Sequence, residues 1–226
     1  MATVTHSSGA TQPARLAEPG VVDVPRRRLD HPELVRSLQR AYSAERAASF
    51  AYIGHAGSLR EPAAKAAIKQ IEDDEWAHRR HVLAIMQAHD IPVSRWFEVH
   101  YYAIGKLIAG SCYVIGWFMP YFFAGKLESG NVCEYFVMLR HFRALGIRDH
   151  DAILYEMGMK EKEHELYFLE QVKTSRLLPW FEKAFSWGHT HSRNDVDLAA
   201  KYPVEAGGLY CASHPNGQTP ETGAGG

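Results

Sequence analysis

Cysteine is scarce in this chain, with Cys112, Cys133 and Cys211 the only three in 226 residues. None stands in a C-x-x-C pair, so zinc-ribbon and rubredoxin-type thiolate sites are excluded. The odd count does not suggest a disulfide framework, and a reduced, cytoplasmic setting is the simplest expectation. Charge of one sign is also missing. Lys and Arg number 25 against 26 Asp and Glu, and without a clustered basic excess the chain is not expected to bind nucleic acid. Residues 1–30 lack the apolar core of a secretory signal, and Glu18, Asp23 and Asp30 argue against a transit peptide, so they read as a disordered leader. No alternating strand pattern and no solenoid period occur.

One stretch lacks charge altogether. Residues 107–125, LIAGSCYVIGWFMPYFFAG, are close to the ~20 residues that cross a bilayer, but Pro120 and several glycines interrupt them. The segment reads as a long hydrophobic crossover helix packed on a helical body. Trp117, Phe118, Tyr121, Phe122 and Phe123 would then form an apolar patch or substrate mouth, with peripheral membrane contact, a homodimer interface or plain core as its uses.

What is present is helical periodicity. Asp30 as N-cap with Pro32 and Glu33 opens a first helix that runs to about Gly57. The turn SLREP (58–62) follows, with Pro62 suited to the start of a second helix ending near His89 before Asp90-Ile91-Pro92. A third ligand-bearing helix is expected over about Asn131–Leu145, closed by Gly146, and a fourth over about Asp149–Ser175. A short amphipathic piece is expected near Leu178–Trp187. Residues 188–226 are rich in Gly, Pro and Asn and read as an extended or disordered tail. The domain is thus 31–187, all-α.

Two E-x-x-H motifs carry the chemistry: Glu75-Trp76-Ala77-His78 and Glu161-Lys162-Glu163-His164. At i, i+3 both side chains leave one helix face. They sit inside apolar stripes, with Ile68, Ile71, Val82 and Ile85 around the first and Leu154, Met157 and Phe168 around the second. A carboxylate placed there costs several kcal/mol or loses its charge unless something binds it. The first helix offers Glu45 in the stripe Leu34, Leu38, Ala41, Ala48, Tyr52, and the third offers Glu134 in the stripe Met138, His141, Leu145. One Glu from each of two helices with Glu-x-x-His from each of two others is a di-iron or di-manganese carboxylate pattern.

Hairpin geometry bears on the choice. The midpoint of Glu45 and Glu75 is residue 60, inside SLREP, and that of Glu134 and Glu161 falls just after Gly146. Glu128 is the rival, but its midpoint with Glu161 lands within FRAL, so Glu134 is preferred. Asp74 stands before Glu75, where it is either a hydrogen-bond partner of a ligating histidine across the bundle or a solvated acid. His141 and His55 read as core or channel residues first. His189-x-His191 reads as exposed loop.

The order Glu, E-x-x-H, hydrophobic crossover, Glu, E-x-x-H resembles the ferritin-like di-iron proteins. AERAASFAYIGH, EWAHRRHV, YYAIGKLIAGSCYVIGWF, NVCEYF and KEKEHELYF are similar in particular to the demethoxyubiquinone hydroxylase family, over roughly residues 34–173. The resemblance implies a ferritin-like four-helix bundle with iron ligands Glu45, Glu75, His78, Glu134, Glu161 and His164. It implies two Fe ions, with Mn the alternative, dioxygen as co-substrate, an apolar quinone-like substrate and NADH or a reductase as electron donor. Two other functions stay open: a ferroxidase or peroxide scavenger of the ferritin or rubrerythrin kind, and a metal-stabilised interaction protein without catalysis.

Overall fold

A computed structural model describes residues 28–187, so most of the expected leader and all of the expected tail, with His189 and His191, lie outside the described residues. Among those described there are six helices and no strand: α1 (Pro32–Ser58), α2 (Pro62–Ala88), α3 (Arg95–Ser111), α4 (Phe118–Ala144), α5 (Asp151–Val172) and α6 (Leu178–Phe185). The protein is all-α, as expected.

The helix ends follow from local chemistry. Pro32 occupies the first turn of α1, but the cap is His31, whose Nδ1 accepts the Leu34 N–H at 3.1 Å; Asp30, expected as the cap, lies one residue too early. Glu61 caps α2, its carboxylate accepting from Ala63 and Ala64, with Pro62 following as expected. The α4 terminus is closed by Gly146 at φ +73°, where Ile147 N–H reaches Phe142 O at 2.9 Å and Gly146 N–H reaches Arg143 O at 3.0 Å. Only a residue free of a Cβ adopts that left-handed turn without strain.

The uncharged run 107–125 is not one helix. Ser111 ends α3, Gly116 turns at φ +79°, and α4 begins at Phe118, thirteen residues before the expected start at Asn131. No described helix is long and apolar enough to cross a membrane. The expected aromatic patch is mostly core: Phe118, Tyr121 and Phe122 are buried and Phe123 partly so, while Trp117 stays exposed. Cys112 is a buried free thiol and Cys133 is disulfide-bonded, against the expectation of reduced cysteines.

α1 packs on α2 and on α3, α4 packs on α5, and the two pairs meet where α1 touches α4 and α2 touches α5. α3 lies so close to α1 that a Cβ on Gly54 would stand 2.3 Å from Ala109 Cα, and one on Gly105 2.7 Å from Ala47 Cα. Apolar side chains collect into two main clusters. One holds Leu34, Leu38, Val82, Met86, Met138, Phe142 and Met157. The other holds Tyr52, Ile68, Phe118, Phe122, Phe168 and Val172. Along every one of α1, α2, α4 and α5 the sequence passes from one cluster to the other. The residues in between form a polar layer sealed by apolar walls on both sides.

Candidate metal centre

That layer is built from the two E-x-x-H motifs and two single carboxylates. Glu75, His78 and Glu161 have no exposed surface, and Glu45, Glu128 and His164 are buried to within a few per cent. Ligand atoms of Glu45, Glu75, His78 and Glu161 lie within 4.8 Å of one another, and so do those of Glu75, Glu128, Glu161 and His164. Glu75 and Glu161 belong to both groups. Two sites that share two carboxylates are the arrangement that bridged metal ions require.

Five of the six expected ligands are brought together. Glu134 is not. It faces Arg40, whose Nη2 lies 3.0 Å from its Oε1, and accepts from Ser37 at 3.2 Å. Glu128 takes its place, and the reason is helical phase. The buried stripe of α4 runs Phe122, Gly125, Glu128, Val132, Tyr135, Leu139, Phe142. The expected stripe through Glu134, Met138, His141 and Leu145 is rotated from it by about one position, or ~100°. Of its four residues, only Met138 is fully buried.

The helices that meet at the layer run antiparallel, so their contacts are reciprocal. Between α2 and α5, His78 Nδ1 lies 2.8 Å from Glu161 Oε1 and His164 Nδ1 lies 3.3 Å from Glu75 Oε1. Between α1 and α4, the Tyr135 hydroxyl donates to Glu45 Oε1 and the Tyr52 hydroxyl to Glu128 Oε1. Both tyrosines stand seven residues after the glutamate on their own helix, two turns along the same face. Asn131 donates to Glu128 Oε2 at 3.0 Å. Asp74 Oδ2 lies 3.1 Å from His164 Nε2, the pairing between α2 and α5 that its position suggested, and its Oδ1 accepts from Gln70 at 3.0 Å.

Electrostatics show what the layer lacks. Burial, then the charges of Glu75 and Glu161, push Glu45 well above the usual carboxylate range. Burial, then Glu161, does the same to Glu128. Glu75 rises to about 6, again through burial and then Glu161. Glu161 moves the other way: burial alone would raise it, but His78 and then His164 hold it below the usual range. His164 is raised well above an ordinary imidazole, since Asp74, Glu161 and Glu75 outweigh the effect of burial. Tyr135 is pushed far up by burial and then by Glu45.

Both oxygens of Glu75, both of Glu161, Glu45 Oε2, both nitrogens of His78 and His164 Nδ1 are buried without a hydrogen-bond partner. Buried polar atoms are otherwise satisfied in folded proteins. Eight such atoms in one buried layer fit bound cations, toward which each residue of the two groups offers one ligand atom. The donor set is oxygen and imidazole nitrogen without thiolate, which suits iron or manganese. Four carboxylates balance the charge of two divalent ions. His55, read as core or channel, is buried beside Tyr121 and Phe168, and His141 lies half-buried against His31.

No protein-family model matches this chain, and no curated protein and no solved structure matches it either.

Proposed function

We propose that the chain is a di-iron oxygenase on a ferritin-like four-helix bundle, similar to the demethoxyubiquinone hydroxylases, which hydroxylates a quinone or other apolar aromatic with dioxygen. The observation that carries this reading is the pair of ligand groups sharing Glu75 and Glu161, with their donor atoms orphaned in a sealed layer. Iron held by these residues would supply two electrons to dioxygen, and NADH or a reductase would be the outside donor that restores them.

The chain's own residues do the rest. Glu45 and His78 complete one half, Glu128 and His164 the other, and Glu75 and Glu161 span both. Tyr135 holds one oxygen of Glu45 and leaves the second without a hydrogen bond, while Tyr52 and Asn131 between them hold both oxygens of Glu128. The two apolar clusters exclude water, which keeps reducing equivalents from being lost to side reactions. Tyr52, Tyr121, Phe118, Phe122 and Phe168 pack as an aromatic cluster on the Glu128 side, apolar surroundings compatible with a flat apolar substrate.

The test is metal analysis of the purified chain followed by turnover. About two irons per chain are expected, together with a quinone product carrying one oxygen atom from labelled dioxygen, both abolished by Glu161→Ala. A chain that binds no iron, or binds it and leaves every quinone and aromatic tested unchanged while oxidising free Fe(II), would refute the hydroxylase reading.

A further inference from the structure

The two halves of the centre are not braced alike. His164 is held by Asp74, which is itself held by Gln70. Glu128 is held at both oxygens, by Tyr52 and by Asn131. In the other half Glu45 is held at one oxygen only, by Tyr135, and its Oε2 has no partner. His78 has no hydrogen-bond partner at either nitrogen, although it is wholly buried. The residue preceding Glu161, in the place that Asp74 holds before Glu75, is Lys160, whose ammonium is paired with Glu163 at 2.6 Å. The sequence therefore carries a carboxylate behind one histidine and none behind the other.

We infer that the centre fills in order, with the Glu128–His164 half binding the first metal ion tightly and the Glu45–His78 half binding the second weakly and exchangeably. The inference rests on the di-metal reading and extends it. Asp74 is a positioning residue: a carboxylate on the far nitrogen fixes the tautomer and ring angle of His164, presents Nδ1 to the metal and raises its basicity. Glu128, held at both oxygens, has little conformational freedom to lose on binding. His78 must find its orientation when the metal arrives. Partners of this kind change metal affinity by about 10–100-fold, so the two steps are expected to differ by that factor. The weaker half is where an ion can leave, be replaced or open a coordination position for an incoming molecule.

The test is stepwise titration of the metal-stripped full chain with Mn(II) under argon, read by calorimetry and electron paramagnetic resonance. The expected result is one tight step giving an isolated Mn(II) signal at one equivalent, then a step at least 10-fold weaker giving a spin-coupled pair. Asp74→Asn should weaken the first step by about 10–100-fold with little change in the second. Tyr135→Phe should weaken only the second. Two steps of equal affinity, or a first ion located at Glu45 and His78 by anomalous diffraction, would overturn the order while leaving the di-metal centre standing. A wild-type chain that is folded by circular dichroism and binds no Mn(II) or Fe(II) would remove both.

Discussion

His78 and Glu161 approach across the α2–α5 interface with Nδ1 and Oε1 2.8 Å apart, both side chains wholly buried and neither atom in hydrogen-bonding geometry. Burial alone would disfavour the Glu161 carboxylate, and it is His78 and then His164 that keep it ionised beside Glu45, Glu75 and Glu128. A cation bound in this layer would offset the repulsion among its carboxylates, so on the proposed reading metal and stability are linked. At a hundredfold excess over the dissociation constant a ligand stabilises the folded state by about 2.7 kcal/mol. Thermal unfolding with and without Fe(II) or Mn(II) should show a rise of several degrees. Glu75→Gln should abolish that rise while leaving the metal-stripped chain no less stable, since it removes a charge from the layer. A metal-stripped variant several kcal/mol weaker than the parent would show that Glu75 is structural.

Glu128 and Glu134 distinguish the proposed ligand from a glutamate paired with a half-exposed arginine. Glu128→Ala should lower bound metal to one ion or fewer per chain. Glu134→Ala should leave metal content unchanged and cost less than about 1 kcal/mol, because its partner Arg40 is half exposed. Metal analysis of both variants decides the matter, and loss of metal in Glu134→Ala alone would reverse the assignment.

Much of this centre was legible in the sequence. The α1, α2 and α5 stripes through Glu45, Glu75, His78, Glu161 and His164 are buried as read, apart from Ala48, which is only partly so. Asp74 was a reasoned alternative and is the partner of His164. The preference for Glu134 over Glu128 follows from reading residues 107–125 as one helix, whereas α3 ends at Ser111 and α4 begins at Phe118. With Phe118–Gly125 set apart, nothing linked Tyr121, Phe122 and Gly125 to Glu128, and the stripe was started a position out of phase. The hairpin midpoint favours Glu134 because it takes no account of helical phase, which puts Glu128 and not Glu134 on the buried stripe of α4. A better signal was present: Glu-x6-Tyr occurs at Glu45–Tyr52 and again at Glu128–Tyr135. Each tyrosine bonds the other helix's glutamate. The sequence pattern alone could not show that reciprocity.

The α1–α3 contact depends on small residues. Gly54→Ala would push a Cβ to 2.3 Å from Ala109 Cα and its carbonyl oxygen, where backbone cannot yield cheaply. The expected cost is about 1–3 kcal/mol, measured by urea unfolding. Gly110→Ala on α3 is the control, since no atom lies within 4 Å of its added Cβ. It should be neutral or stabilising by up to about 1 kcal/mol through helix propensity. Equal effects at both positions would mean that α3 does not seat on α1 as described.

Acid should weaken the fold through His55. Its ring is 2% exposed, packed edge-on to Tyr121 at 4.5 Å, with Nε2 unpartnered, and burial lowers it to about 4. The unfolded chain binds that proton near pH 6.5, so between pH 6.5 and 4 it holds more protons than the native state. Stability therefore falls as pH drops through this window and is unaffected by His55 above it. At pH 5 the loss from this residue is about 2 kcal/mol. His150, lowered to about 4 by burial and then by His89, acts in the same direction. The metal-free carboxylates Glu45, Glu128 and Glu75 act oppositely, because their raised values favour the folded state in acid. The histidine contribution is therefore isolated by comparison with His55→Met in denaturant titrations at pH 7.5, 6 and 5. The variant should lose less stability than the parent between pH 7.5 and 5, by about 2 kcal/mol. Parallel pH profiles would mean that His55 takes up its proton without cost, and that its Nε2 has a partner or water within reach.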